Sequence, residues 1–228
     1  GFNRWADRDI DGKNPRTTAR EIPAGKISAK SALIFVVINA LLFVATSLSI
    51  NTLTAILSPV ALVVVMAYSY CKRFTSLAHL VLGLSLGIAP SAAYIAVTGT
   101  LTFAPCLLSL LVITWCGGFD IIYALQDVEF DREQGLHSIP VRFGVRGAIY
   151  ISIALHAVSI VSLLLFALFC PQGWLLWIGE ALFCGCILLE HILVTPTKQR
   201  NIGIAFGTLN GIASLTLATF TIAQLIIG

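Results

Sequence analysis

Charge is scarce in this chain. Asp, Glu, Lys and Arg make up 11% of it, while 57% of its residues are hydrophobic and its mean hydropathy is +0.92. A typical soluble domain is about 25% charged, so this composition describes a membrane protein. Other absences narrow the chemistry. The six cysteines support neither a disulfide framework nor a zinc site. Cys184 and Cys186 form only a C-x-C, and Cys71, Cys106, Cys116 and Cys170 are scattered through apolar sequence, so buried free thiols are expected. His79 and His137 lack metal-ligand spacing and read as structural or polar contacts. No nucleic-acid motif occurs. The glycine series Gly83-x-x-x-Gly87 and Gly203-x-x-x-Gly207-x-x-x-Gly211 have no Lys in register for a phosphate loop, and predict close helix packing instead. No signal-peptide pattern opens the chain, which begins at Gly1 inside an acidic motif with no apolar span before it. The expectation is a piece lacking its N-terminal membrane segments.

Long apolar runs are plentiful. Seven stretches approach or exceed the roughly 20 residues that a bilayer requires: 31–50, 53–71, 77–97, 104–126, 148–169, 173–194 and 203–227. Backbone groups in lipid must be satisfied internally, and the alternation of a barrel strand is missing. The expected fold class is all-α, a polytopic transmembrane helical bundle.

Positive charge is sorted by loop. Arg4, Arg8, Lys13, Arg16, Arg20, Lys26 and Lys30 precede the first span. Lys72 and Arg73 follow the second, Arg132, Arg142 and Arg146 the fourth, and Lys198 and Arg200 the sixth. The connections around Asn51, Thr98 to Thr102 and Pro171 to Gly173 carry none. By the positive-inside rule the charged loops face the cytoplasm. Glu190 and His191, near that end of a span, are expected to snorkel toward the interface.

Two acidic motifs lie on this face. The first runs from Asn3 through Asp7 to Asp11, and the second from Tyr123 through Asp127 to Asp131. The i, i+4 spacing stacks each set on one helix face, where like charges destabilise unless a cation neutralises them. Two such faces at a membrane boundary suggest a metal site for a polyanion such as a diphosphate, with Arg and Lys holding the remaining oxygens. Asp120 sits about two turns deeper than Asp127. An intramembrane carboxylate is costly, and either orients or deprotonates a substrate or makes a helix–helix hydrogen bond.

These motifs resemble those of the UbiA superfamily of intramembrane prenyltransferases. Asn3, Asp7 and Asp11 match its N-D-x-x-D-x-x-x-D element, and Asp127 and Asp131 match its D-x-x-x-D element with Tyr123 before it. The segments NPRTTAREIPAG, KRFT and HSIPVRFG look typical of its quinone-biosynthesis members. Arg4 departs from the pattern, standing where many members have Asp, which bears on the choice of acceptor.

The resemblance implies one prenyltransferase domain over residues 1–228, part of a protein with nine membrane helices. It further implies transfer of a polyprenyl group from its diphosphate to an aromatic acid, 4-hydroxybenzoate or a naphthoate precursor, for ubiquinone or menaquinone. Mg²⁺ would sit on Asp7, Asp11, Asp127 and Asp131. Asn3, Arg16, Arg20, Lys72 and Arg73 would bind substrate, and Asp120 and Tyr123 would serve catalysis. The partners are then the polyprenyl diphosphate, the acceptor and the lipid bilayer. Haem farnesylation within the same superfamily is a second reading, and a cation-binding membrane transporter a third of a different class. The transporter would place ionisable groups at several mid-membrane depths or carry inverted repeats.

Overall fold

The computed structural model describes residues 1–198 and 201–227; Arg200, counted above among the topogenic charges, lies outside them. Two short helices, α1 (Phe2–Ala6) and α2 (Arg8–Asp11), precede six long ones: α3 (Ala29–Leu48), α4 (Thr52–Cys71), α5 (Ala78–Thr98), α6 (Phe103–Tyr123), α8 (Ile139–Ala167) and α9 (Trp174–Leu193). A 3₁₀ turn (Ala124–Asp127) and α7 (Val128–Glu133) extend α6, and a π-helical turn (Ile204–Leu209) opens α10 (Asn210–Ile227). Among the described residues, seven helical stretches are long and apolar enough to cross a membrane, close to the expected spans.

Local chemistry explains the boundaries. Ser28, Asn51 and Ser138 cap α3, α4 and α8 by accepting N–H groups of the first turn. The Asn51 amide also donates to the Ile95 and Ala96 carbonyls, tying the start of α4 to the end of α5. Gly144, at φ 69° and ψ 174°, breaks α8 between an interfacial turn and the span proper. The expected start at 148 therefore missed that leading turn.

The core is built around α6, which packs between α5 and α8. One cluster joins Ile121, Ile122 and Leu125 to Ile139, Ile149, Val194 and Ala205. A deeper one joins Leu111 and Trp115 to Leu163, Phe183, Ile187 and Ala213. The outer faces of α3 and α4 stay apolar and exposed, as at Phe35, Leu41 and Val63, in the manner of lipid-facing surface.

The first glycine pair packs as expected. A Cβ on Gly83 would stand 2.2 Å from the Ile113 carbonyl oxygen, and one on Gly87 2.8 Å from that of Ser109, so α5 and α6 touch backbone to backbone. The second series does not. Among the described residues, a Cβ on Gly203, Gly207 or Gly211 would meet nothing within 4 Å, because the π-helical turn and α10 bury the Ala205, Asn210 and Ala213 face instead. Gly83→Ala should cost about 1–3 kcal/mol by forcing the two backbones apart, while Gly211→Ala should stay within about 0.5 kcal/mol. Thermal unfolding of the purified variants in detergent checks both.

Glu190 corrects another expectation. It is fully buried on α9 and does not snorkel, being turned inward by helix rotation rather than toward the nearby end.

Candidate active site

Both acidic motifs are helical, but each is bent at its first aspartate. Asp7 (φ −97°, ψ 6°) separates α1 from α2, and Asp127 (φ −110°, ψ 6°) separates the 3₁₀ turn from α7. These are bridge-region dihedrals, sparsely populated and frequent at active sites. The single continuous face expected from i, i+4 spacing is therefore kinked in both motifs. A 3₁₀ segment turns 120° per residue rather than 100°, so Tyr123 and Asp127 diverge from a common stripe.

The chain between α2 and α3 crosses from one motif to the other. Asn14 organises this crossing: its side-chain oxygen accepts the Arg16 N–H (2.9 Å) while its amide donates to Asp127 Oδ1 (3.1 Å). That turn delivers Arg16 to Asp127 as a two-pronged pair, Nε to Oδ1 at 3.0 Å and Nη2 to Oδ2. Arg16 Nη1 also donates to the Tyr123 hydroxyl (2.6 Å). The Tyr123 ring stacks on Phe206 at 4.1 Å between centroids.

The other carboxylates are matched in the same way. Arg20 holds Asp11 (2.6 Å), Lys72 holds Asp131 (3.2 Å) and Arg73 reaches Asp7 (3.4 Å). Asn3 donates to Asp7 at 2.8 Å. Arg73 also donates to the Ala6 carbonyl at the end of α1 (2.6 Å). A backbone bond from His137 N to the Lys72 carbonyl (2.7 Å) fastens the turn after α4 to the loop after α7. The four expected carboxylates thus sit one-to-one with the four expected cations.

All of them line one cavity of about 140 Å³. Its wall also contains Asp120, Asn14, Tyr68 and Ser69. Asn14 and Tyr68 were not expected there from sequence. Tyr68 lies one helical turn before Lys72, and that i, i+4 register was the available signal. Asp120 lines the cavity wall and makes the helix–helix bond of the second reading, to His79 Nδ1 at 2.7 Å.

Electrostatics are set by competing effects. Burial raises the Asp7 pKa above the ordinary carboxylate value, and the hydrogen bond and charge of Arg73 only partly oppose it. For Arg16, desolvation is outweighed by its bonds to Asp127 and Tyr123, so its pKa is raised and its charge reinforced. Arg73→Ala should push Asp7 higher still, because the carboxylate loses its cation. Activity should then fall away at a higher pH on acidification, which a pH–rate profile would reveal.

Among the described residues, no three His, Cys, Asp or Glu side chains form a ready-made metal cage. The donor set nevertheless suits Mg²⁺, which takes one or two carboxylates plus substrate phosphates and water. Asp11 Oδ2 is buried with no hydrogen-bond partner among the described residues, an oxygen available to such a cation.

Comparison with known proteins shows the family. The UbiA prenyltransferase family profile matches residues 1–221. A 4-hydroxybenzoate octaprenyltransferase of Serratia proteamaculans is 31% identical over 87% of this chain and 68% of its own length. One from Cupriavidus necator is 29% identical over 99% of this chain and 79% of its own. The apo structure of a UbiA homolog from Aeropyrum pernix K1 superimposes with a TM-score of 0.83, at 29% identity over 99% of this chain and 82% of that one. A UbiA homolog from Archaeoglobus fulgidus bound to GPP and Mg²⁺ shares the fold, with a TM-score of 0.67 at 18% identity over 99% of this chain and 82% of that one. Seven membrane-length helices, the paired acidic motifs and these matches together identify the chain as an integral-membrane enzyme belonging to the UbiA prenyltransferase family.

Proposed function

We propose that this enzyme transfers a polyprenyl group from polyprenyl diphosphate to 4-hydroxybenzoate in quinone biosynthesis, with its site at the cytoplasmic face. The observation that carries the reading is the cavity in which Asp7, Asp11, Asp127 and Asp131 face Arg73, Arg20, Arg16 and Lys72. Such a cavity offers carboxylates to a divalent cation and cations to phosphate oxygens. The acceptor is drawn from the names of the relatives. The side of the membrane is drawn from the loop charges.

Bond breaking at an allylic C–O bond leaves a carbocation and an anionic diphosphate. Asp7, Asp11, Asp127 and Asp131 would hold Mg²⁺, which supplies charge neutralisation for the departing diphosphate. Arg16, Arg20, Lys72 and Arg73 would hold the remaining oxygens through charge-assisted hydrogen bonds. Asn3 orients Asp7 and binds at the same edge. Tyr123 presents its hydroxyl beside Arg16 at the cavity wall, where it can face the reacting carbon. The aromatic ring then forms the new C–C bond, and Asp120 accepts the ring proton that restores aromaticity.

The test is a prenyl-transfer assay in membranes with 4-hydroxybenzoate and with a naphthoate acceptor, each with and without Mg²⁺. Prenylated 4-hydroxybenzoate formed only with Mg²⁺ is the expected result. Preference for the naphthoate would reassign the pathway, and transfer to neither would overturn the reading.

A further inference from the structure

We propose that His79 is a positioning residue that aims Asp120 at the reacting ring, an inference that rests on the role of Asp120 as the acceptor of the ring proton. His79 lies in the first turn of α5 and is 0% exposed. Its Nδ1 meets Asp120 Oδ2 at 2.7 Å. A carboxylate only accepts, so Nδ1 carries the proton and donates it. Among the described residues Nε2 has no hydrogen-bond partner, and the fully buried ring does not line the cavity, so it does not touch substrate. Among the described residues, the ring's one polar contact is the bond to Asp120.

That bond has a built frame. Close approach at Gly83 and Gly87 fixes α5 against α6. A Cβ on Gly117, one turn before Asp120, would lie 3.4 Å from the His79 carbonyl oxygen. His79 and Asp120 therefore face each other across a backbone contact that leaves little play. Holding Oδ2 leaves the other oxygen for substrate: Asp120 Oδ1 has no hydrogen bond to protein among the described residues, and the side chain, 16% exposed, lines the cavity. A carboxylate freed from His79 would rotate about its side-chain torsions and spread that lone pair over several directions.

The asymmetry separates positioning from structure. Asparagine places an amide nitrogen the same number of bonds from Cβ as imidazole Nδ1, so it can restore the donor without the ring. Leucine fills space without a donor. Steady-state kinetics of His79→Leu, His79→Asn and Asp120→Asn in membranes, with quantified folded protein, provide the test. His79→Leu should lower kcat about 10- to 100-fold, the equivalent of one charge-assisted hydrogen bond. The KM for polyprenyl diphosphate should stay unchanged, and His79→Asn should recover to within about threefold of the parent. An unchanged kcat in His79→Leu, or equal loss in both His79 variants, overturns the positioning role while leaving Asp120 in place. Full activity in Asp120→Asn would instead remove the reading on which it rests.

Discussion

Asp127→Ala is expected to reduce kcat/KM for prenyl transfer by at least about 10²–10³-fold, the scale of losing one preorganised electrostatic contact to the transition state. The same substitution strips Arg16 of its two-pronged partner and Asn14 of its acceptor. Breaking a buried ion pair from one side costs about 3–5 kcal/mol. The Arg16 side chain is 33% exposed here, so water offsets part of that loss. Stability and catalysis are separable. The double variant Arg16→Ala, Asp127→Ala removes both charges and should regain much of the thermal stability, yet remain inactive. Recovery of activity in the double variant would mean that Asp127 serves the fold alone. Asp127→Asn, which keeps the shape and loses the charge, should be inactive with smaller structural cost.

The second large effect concerns how the two charged ligands bind. Each of the four motif carboxylates is already neutralised by a cation. Mg²⁺ on its own must draw carboxylates away from Arg and Lys and leave those cations uncompensated. Diphosphate on its own must draw the cations away and face bare carboxylates. Together they would exchange partners under the proposed function, carboxylates to metal and the Arg and Lys cations to phosphate, so that every charge stays paired. Affinity for each should therefore rise about 10- to 100-fold in the presence of the other, and by linkage the two factors must be equal. Calorimetric titration of Mg²⁺ with and without a non-reactive prenyl thiolodiphosphate measures this, after subtracting metal binding to the free analogue. Equal Mg²⁺ affinity in both titrations would show that the ion pairs are not exchanged.

Much of this architecture is legible in the chain alone. Hydropathy is a local property, and seven runs of sufficient length became seven membrane-length helices. Loop charges placed the acidic motifs and their cations at one end of the bundle, where the cavity lies. The motif residues themselves were readable because regularly spaced carboxylates stand out in an apolar chain, where charge near the membrane is costly.

Other features depend on contacts that local periodicity does not encode. Arg16 and Asp127 are separated by 111 positions, and Lys72 and Asp131 by 59, so the path of each loop decides which cation meets which carboxylate. The kinks at Asp7 and Asp127 are not signalled by the i, i+4 spacing of either motif. Helix rotation buries Glu190, which sequence position alone would send to the interface, and turns Gly203, Gly207 and Gly211 away from any close packing among the described residues. It likewise sets a buried imidazole behind Asp120. By itself the sequence determined the class, the spans and which charged residues gather at one end of the bundle, since composition and spacing act within a few residues of chain. Only the tertiary structure decided the pairing, because which side chains face each other is settled by packing between distant helices.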